Sequence, residues 1–198
     1  MIPSVVDRVP MLARMTITIK VNLEIGFSKP REISKMSLVF VDCEAWGGCP
    51  SVGQLTEFGA IIYENRKAFH GVLVERPPIA LRSAEPSNRK KPSFEKEIEV
   101  ATAFEVWLKT EASPPFVFVS DNNGFDWQWI NDLFWRTLNR NPFGHSSRRI
   151  SDFYAGLVGD FHSTQRWKRL RITKHSHHPV EDAMGNVEAF ERLLKGER

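Results

Sequence analysis

Polar and apolar positions alternate strictly from Thr16 to Phe27, with Ile17, Ile19, Val21, Leu23, Ile25 and Phe27 on one face. That is the pattern of a half-buried strand. Lys29-Pro30 breaks it, and Met36 directly precedes the next apolar run. Residues 1–35 therefore read either as an extra strand packed on the domain or as a leader to a domain that starts at Met36. Residues 36–198 read as that domain.

Within it, Ser37–Cys43 is a short apolar run, the mark of a buried strand. Leu55–Tyr63 and Ala68–Val74 predict two more, and the short connections make these three antiparallel neighbours. Pro77–Lys91 is rich in Pro, Arg and Ser and reads as a loop. Phe94, Ile98, Ala101, Phe104, Val106 and Leu108 recur near helical spacing, which predicts a helix over Ser93–Lys109. Phe116–Val119 is a fourth strand that runs into the polar loop Ser120–Gly124. A helix follows over Phe125–Leu138. Arg148–Asp152 predicts a fifth strand, then a helix over Phe153–Phe161. The last helix begins at Pro179, where proline suits the first turn, and ends before Gly196. Three antiparallel strands followed by alternating helices and strands predict a mixed five-stranded α/β sheet flanked by helices.

Composition changes this picture little. The chain has 198 residues, 41% hydrophobic and 26% charged, enough to bury a core without disulfide or structural metal. Cys43 and Cys49 fit neither a metal-binding pair nor a disulfide framework, so reduced thiols and a cytoplasmic location are expected. No apolar run is long enough to cross a bilayer, and no membrane role is expected. The net charge is only +3, but its distribution is uneven. Arg166–Lys174 and Arg89-Lys90-Lys91 are basic, and each reads equally as a solvated face or as a nucleic-acid contact.

Three polar clusters carry candidate chemistry. Asp42 and Glu44 flank Cys43 at the C-terminal end of the first strand. Residues two apart in a strand face the same way, so the carboxylates share a side. Like charges held together favour a bound divalent cation, and oxygen ligands suit Mg²⁺ or Mn²⁺. Taken singly, a D-x-E is more often a solvated turn. Asp126 lies in Asn122-Asn-Gly-Phe-Asp126, where a strand becomes a helix, at the sheet end where ligands bind in open α/β folds. Singly, it is a carboxylate satisfying a helix dipole. His177-His-Pro-Val-Glu-Asp182 opens the last helix, and singly it is a polar helix entry.

Together the three resemble the motifs of the DEDDh 3′→5′ exonucleases: D-x-E on the first strand, N-x-x-F-D at a strand–helix junction, H-x-x-x-x-D opening a late helix. Glu57-Phe-Gly-Ala60 resembles a further signature on the family's second strand. The resemblance covers roughly Met36 to the C-terminus, and Phe118–Ile130 looks most like an uncharacterised bacterial branch. It implies a ribonuclease-H-like fold and a two-metal hydrolase that releases nucleoside 5′-monophosphates from 3′ ends of single-stranded DNA or RNA. By this resemblance Asp42, Glu44, Asp126 and Asp182 hold two Mg²⁺ or Mn²⁺ ions, and His177 is the general base. Only His177 sits five positions before Asp182; His178 and His175 miss that spacing.

The chain also departs from common members. Ala45-Trp46-Gly-Gly48 stands where a threonine usually follows D-x-E. Trp46, with Phe125, is a candidate to stack on a terminal base, and equally a loop aromatic packed on the protein. Trp127, Trp129, Phe134 and Trp135 read mainly as core, an exposed member marking a homodimer contact. The tract His175, His177, His178 resembles a zinc site but lacks a cysteine or a partner from another element, so zinc is not expected. The alternatives to a general exonuclease are an oligoribonuclease for very short RNA, a non-catalytic nucleic-acid-binding protein with a relic site, and an interaction module using the strand at Thr16–Phe27. The presence of all five site residues counts against a relic.

Overall fold

The structure, a computed structural model, describes residues 36–74 and 91–198. The strand expected over Thr16–Phe27, the boundary at residue 35 and most of the loop expected over Pro77–Lys91 lie outside the described residues.

Five strands form one sheet: β1 (Ser37–Trp46), β2 (Gln54–Ile62), β3 (Ala68–Val72), β4 (Phe116–Ser120) and β5 (Ser147–Arg149). Their spatial order is β3-β2-β1-β4-β5. β1 pairs antiparallel with β2, and β2 with β3; β4 runs parallel to β1 and to β5. This is the mixed sheet that the apolar runs predict. Among the described residues, four helices flank it: α1 (Phe94–Glu111), α2 (Asn123–Leu138), α3 (Ile150–Val158) and α4 (Pro179–Leu194).

Strand alternation divides the core in two. Val39, Val41 and Cys43 point toward α1 and α2, where Phe104, Leu108, Ile130 and Phe134 close the first core. Phe40 points the other way, with Ile61 and Val119, into a second core formed with Tyr154, Trp167 and Val187. Each fully buried side chain of this kind contributes roughly 1.5–3 kcal/mol before ordering entropy is subtracted. Asp42 and Glu44 continue the face of Phe40, so they face α4.

The sequence reading needs three corrections. α2 starts at Asn123 rather than Phe125, so the polar loop is shorter than expected. The fifth strand stops at Arg149, and α3 begins at Ile150 rather than Phe153. Ile150, Ser151, Tyr154 and Ala155 are buried while Asp152, which a strand would set on the face of Ile150, is exposed; that is a helical rather than a strand pattern. Finally, Arg166–Leu170 is a short 3₁₀ helix that buries Trp167 and Leu170, so the basic run is not a solvated face throughout.

Candidate active site

β1 carries the first two carboxylates, and its register with β2 slips between Glu44 and Ala45. Such a bulge re-aims a side chain at a strand end. The Thr56 hydroxyl donates to the Glu44 carbonyl at 2.8 Å and pins it. β1 runs on as far as Trp46, which pairs with Gln54. Trp46 is therefore a half-buried strand residue, not the loop residue expected.

α4 supplies the third carboxylate. Its N-terminus lies directly on β2 because Gly59 has no side chain: a Cβ there would stand 2.3 Å from the Pro179 carbonyl carbon and the Val180 nitrogen. Gly59 pairs with Asp42 across the sheet. The glycine of Glu57-Phe-Gly-Ala60 is thus what allows Asp182 to approach Asp42. Asp182 is 1% exposed. Its Oδ1 accepts the Ser176 N–H at 2.9 Å, and its Oδ2 accepts the His177 N–H at 3.0 Å. One oxygen from each of Asp42, Glu44 and Asp182 lies within 4.8 Å of the other two.

Asp126 is not in that trio but borders it. Its Oδ1 accepts the backbone N–H of Cys43, the residue between Asp42 and Glu44, at 3.0 Å. Its Oδ2 is buried and has no hydrogen-bond partner among the described residues. Burial, then the charge on Asp121, pushes the Asp126 carboxyl up to about 8, against the hydrogen bond from the Cys43 N–H. Burial also pushes Asp42 well above the usual carboxylate range, helped by the charges of Asp126, Asp182, Asp121 and Glu44. The metal-free site therefore holds more negative charge than its surroundings stabilise. A buried, unpartnered carboxylate oxygen and a trio of convergent oxygens fit hard divalent cations.

His177 sits beside this trio, its Nδ1 3.7 Å from Glu44 Oε1, with its side chain 62% exposed. Its backbone is left-handed at φ 59°, uncommon for a residue other than glycine but more frequent for histidine than for most. His178 points elsewhere: its ring packs 5.0 Å from that of His70, whose Nε2 is 2.8 Å from Glu57 Oε2. Phe125, in the first turn of α2, is half-buried and meets Trp129 edge-on at 5.9 Å. Trp129 and Phe134 are core residues, whereas Trp135 is 42% exposed.

Sequence reasoning missed Asp121. The β1–β4 register pairs Phe40 with Val119, and continued two residues further it sets Asp121 beside Asp42. Asp121 Oδ2 is bound by Lys168 at 2.8 Å and by Arg171 at 2.9 Å. The Arg171 guanidinium is buried, lies 5.1 Å over the Trp167 ring, and also donates to Asn186 of α4 at 2.5 Å. Part of the basic run thus neutralises a fifth carboxylate at the edge of the site. The signal was available only through strand pairing, which local sequence does not display.

Exonuclease I of Methylocaldum szegediense superimposes with a TM-score of 0.54 at 18% identity, over 82% of this chain and 41% of that one. Exonuclease I of E. coli, in complex with a 5cy-dT13 oligonucleotide, gives 0.53 at 15%, over 82% and 40%. A full-length 3′-exonuclease also gives 0.53 at 15%, over 82% and 83%. The fold is ribonuclease-H-like. This ribonuclease-H-like chain spans about two fifths of the exonuclease I chains and most of the 3′-exonuclease. At these identities the likeness describes architecture, while substrate and mechanism rest on the residues. No protein-family model and no curated protein matches the sequence. Among the described residues, no helix is long and apolar enough to cross a membrane.

Proposed function

We propose that this protein is a metal-dependent 3′→5′ exonuclease that releases nucleoside 5′-monophosphates from single-stranded DNA or RNA. The observation that carries this reading is the convergence of Asp42, Glu44 and Asp182 within 4.8 Å, with the unpartnered Oδ2 of Asp126 next to them. Asp42, Glu44, Asp126 and Asp182 would hold two Mg²⁺ or Mn²⁺ ions. When bound, such a pair would supply Lewis-acid stabilisation of the phosphoryl oxygens and would lower the pKa of the attacking water.

The chain's own groups do the rest. His177 accepts the proton of the attacking water, a role suited to an imidazole near neutral pH. The buried Asp182 carboxylate holds the loop that carries it, through the N–H groups of Ser176 and His177. Water oxygen bonds to phosphorus, the P–O3′ bond breaks, and the 3′-oxygen leaves with the shortened strand. Trp46 and Phe125 are the side chains proposed to contact the terminal nucleotide. Without cations, the clustered carboxylates repel a phosphodiester, so chelation abolishes turnover.

Digestion of matched end-labelled DNA and RNA oligomers with Mg²⁺, Mn²⁺ or EDTA tests this. The expected result is stepwise shortening from the 3′ end, release of 5′-monophosphates and no cleavage in EDTA. Cleavage that persists in EDTA, or in an Asp42→Asn variant, would refute it.

A further inference from the structure

His175 has no part in the exonuclease chemistry proposed above, yet the structure sets it on the same buried carboxylate. Its Nδ1 lies 2.8 Å from Asp182 Oδ2. Its ring meets that of His177 edge-on, with centroids 4.3 Å apart. One ligand-capable atom from each of His175, His177 and Asp182 lies within 4.8 Å of the other two. The left-handed turn at His177 reverses the chain just before α4 and brings the two imidazoles together. Both are open to solvent, at 49% and 62% exposure, while Asp182 behind them is fully buried. The arrangement is an accessible mouth backed by a fixed carboxylate.

Two trios therefore share Asp182. Asp42, Glu44 and Asp182 offer oxygens only. His175, His177 and Asp182 offer two imidazole nitrogens and one carboxylate oxygen. Hard cations favour the first, whereas Zn²⁺ favours mixed nitrogen and oxygen donors at about 2.0–2.2 Å. By itself the histidine tract has no partner from another element. Asp182, fixed in the first turns of α4, is that partner.

We propose that His175, His177 and Asp182 form a Zn²⁺ site that overlaps the nuclease centre and inhibits it. The His175 nitrogen that faces Asp182 Oδ2 binds the ion as a neutral imidazole ligand, its ring hydrogen then on Nε2. Glu44 Oε1, 3.7 Å from His177 Nδ1, is within reach of a fourth coordination position. A zinc ion here takes up the imidazole that serves as base and the carboxylate that the two trios share. The inhibition rests on the exonuclease reading; the binding site does not.

The test is calorimetric titration of Zn²⁺ into the chelator-stripped full chain and three variants. His175→Ala removes the ligand. His175→Asn keeps a donor near the position of Nδ1 but offers no imidazole. His178→Ala removes the neighbouring histidine, which lies outside the cluster. Wild type and His178→Ala should bind Zn²⁺ alike, and both His175 variants at least about tenfold more weakly. In parallel, Zn²⁺ is added to Mg²⁺-supported oligomer digestion, each variant being compared with its own uninhibited rate. The half-inhibitory concentration should rise by a matching factor in both His175 variants. Unchanged Zn²⁺ affinity in His175→Ala would place the ion on the oxygen trio and overturn the site. Wild-type affinity in His175→Asn would reduce His175 to a hydrogen-bond donor and overturn it equally. Binding that depends on His175 in a protein that never cleaves would leave the zinc site standing and remove the exonuclease reading. Cleavage with zinc sensitivity independent of His175 would do the reverse.

Discussion

Gly59→Ala tests how α4 is positioned without touching a single functional group. The new methyl would stand 2.3 Å from two backbone atoms of Pro179 and Val180, where ordinary contact begins at 3.4 Å. Backbone cannot swing aside as a side chain tip can, so the start of α4 must retreat by about 1 Å. Asp182 moves with it, away from its neighbour Asp42. Overpacking of this kind costs about 1–3 kcal/mol, which for a chain of this length lowers the melting midpoint by roughly 2–12 °C. A misplacement of about 1 Å in a catalytic array costs on the order of 10²-fold in rate. The control is Gly71→Ala, whose methyl would meet the Phe58 ring at 2.3 Å, inside the first core. Its strain falls on packing and leaves Asp182 alone. Circular-dichroism melts, Mn²⁺ titration and oligomer digestion on both variants give the comparison. Both should melt lower, but only Gly59→Ala should lose about 10²-fold in turnover and bind Mn²⁺ more weakly. Wild-type turnover in a folded Gly59→Ala, or an equal loss in Gly71→Ala, would mean that the close approach does not position the site.

Three further outcomes are expected. His177→Ala should lower turnover by about 10²–10⁴-fold with Mn²⁺ affinity retained by calorimetry, while His178→Ala costs far less; the opposite ranking would reassign the base. Asp126→Asn should abolish cleavage yet stabilise the metal-free protein: the wild-type carboxyl is raised from 3.8 to about 8, so its penalty is absent below pH 3.8, grows as pH rises and is complete above about 8. Melting in EDTA should then show the variant's advantage opening across that window, to about 5 °C or more at pH 8, and an equal or lower midpoint at every pH would contradict it. Arg171→Met should destabilise by about 1–3 kcal/mol, because it removes the buried partner of the Asp121 carboxylate and leaves it to the more exposed Lys168, and adding Asp121→Asn should recover part of that loss in denaturant titrations; strictly additive effects would show no coupling.

The elements that could be read from the chain were those whose signal is local. Phe116–Val119 is apolar throughout and became β4; the Pro179 start and Leu194 end of α4 follow from turn chemistry at either end. The bulge at Glu44 was not legible, because it arises from the register with β2. The fifth strand was over-extended because Ile150 fits an apolar strand as well as the first turn of a helix, and only the burial of Ser151 and Ala155 with the exposure of Asp152 decides between them. Among the site residues, the motif carboxylates stood out by spacing. Asp121 did not, because its neighbour Asp42 lies across a parallel strand pair and its partners Lys168 and Arg171 come from a run that looked merely basic. His175 was set aside on spacing to Asp182, whereas the left-handed turn at His177 brings it back to the same carboxylate.

The hydrogen bond from the Cys43 N–H to Asp126 is made by main chain. Position 43 therefore keeps this link between β1 and α2 whatever side chain it carries; the Cys43 thiol adds a 3.6 Å contact to the Asp126 carbonyl, and burial in the first core, where Cys43 is 5% exposed, limits the size of a replacement. Alanine, valine or threonine can stand between the two carboxylates and preserve the link. Proline alone is barred on chemical grounds, since it has no N–H to give. The middle letter of D-x-E is thus limited in size by the core and fixed in backbone, and a substitution scan across it should return tolerance for small residues and loss at proline.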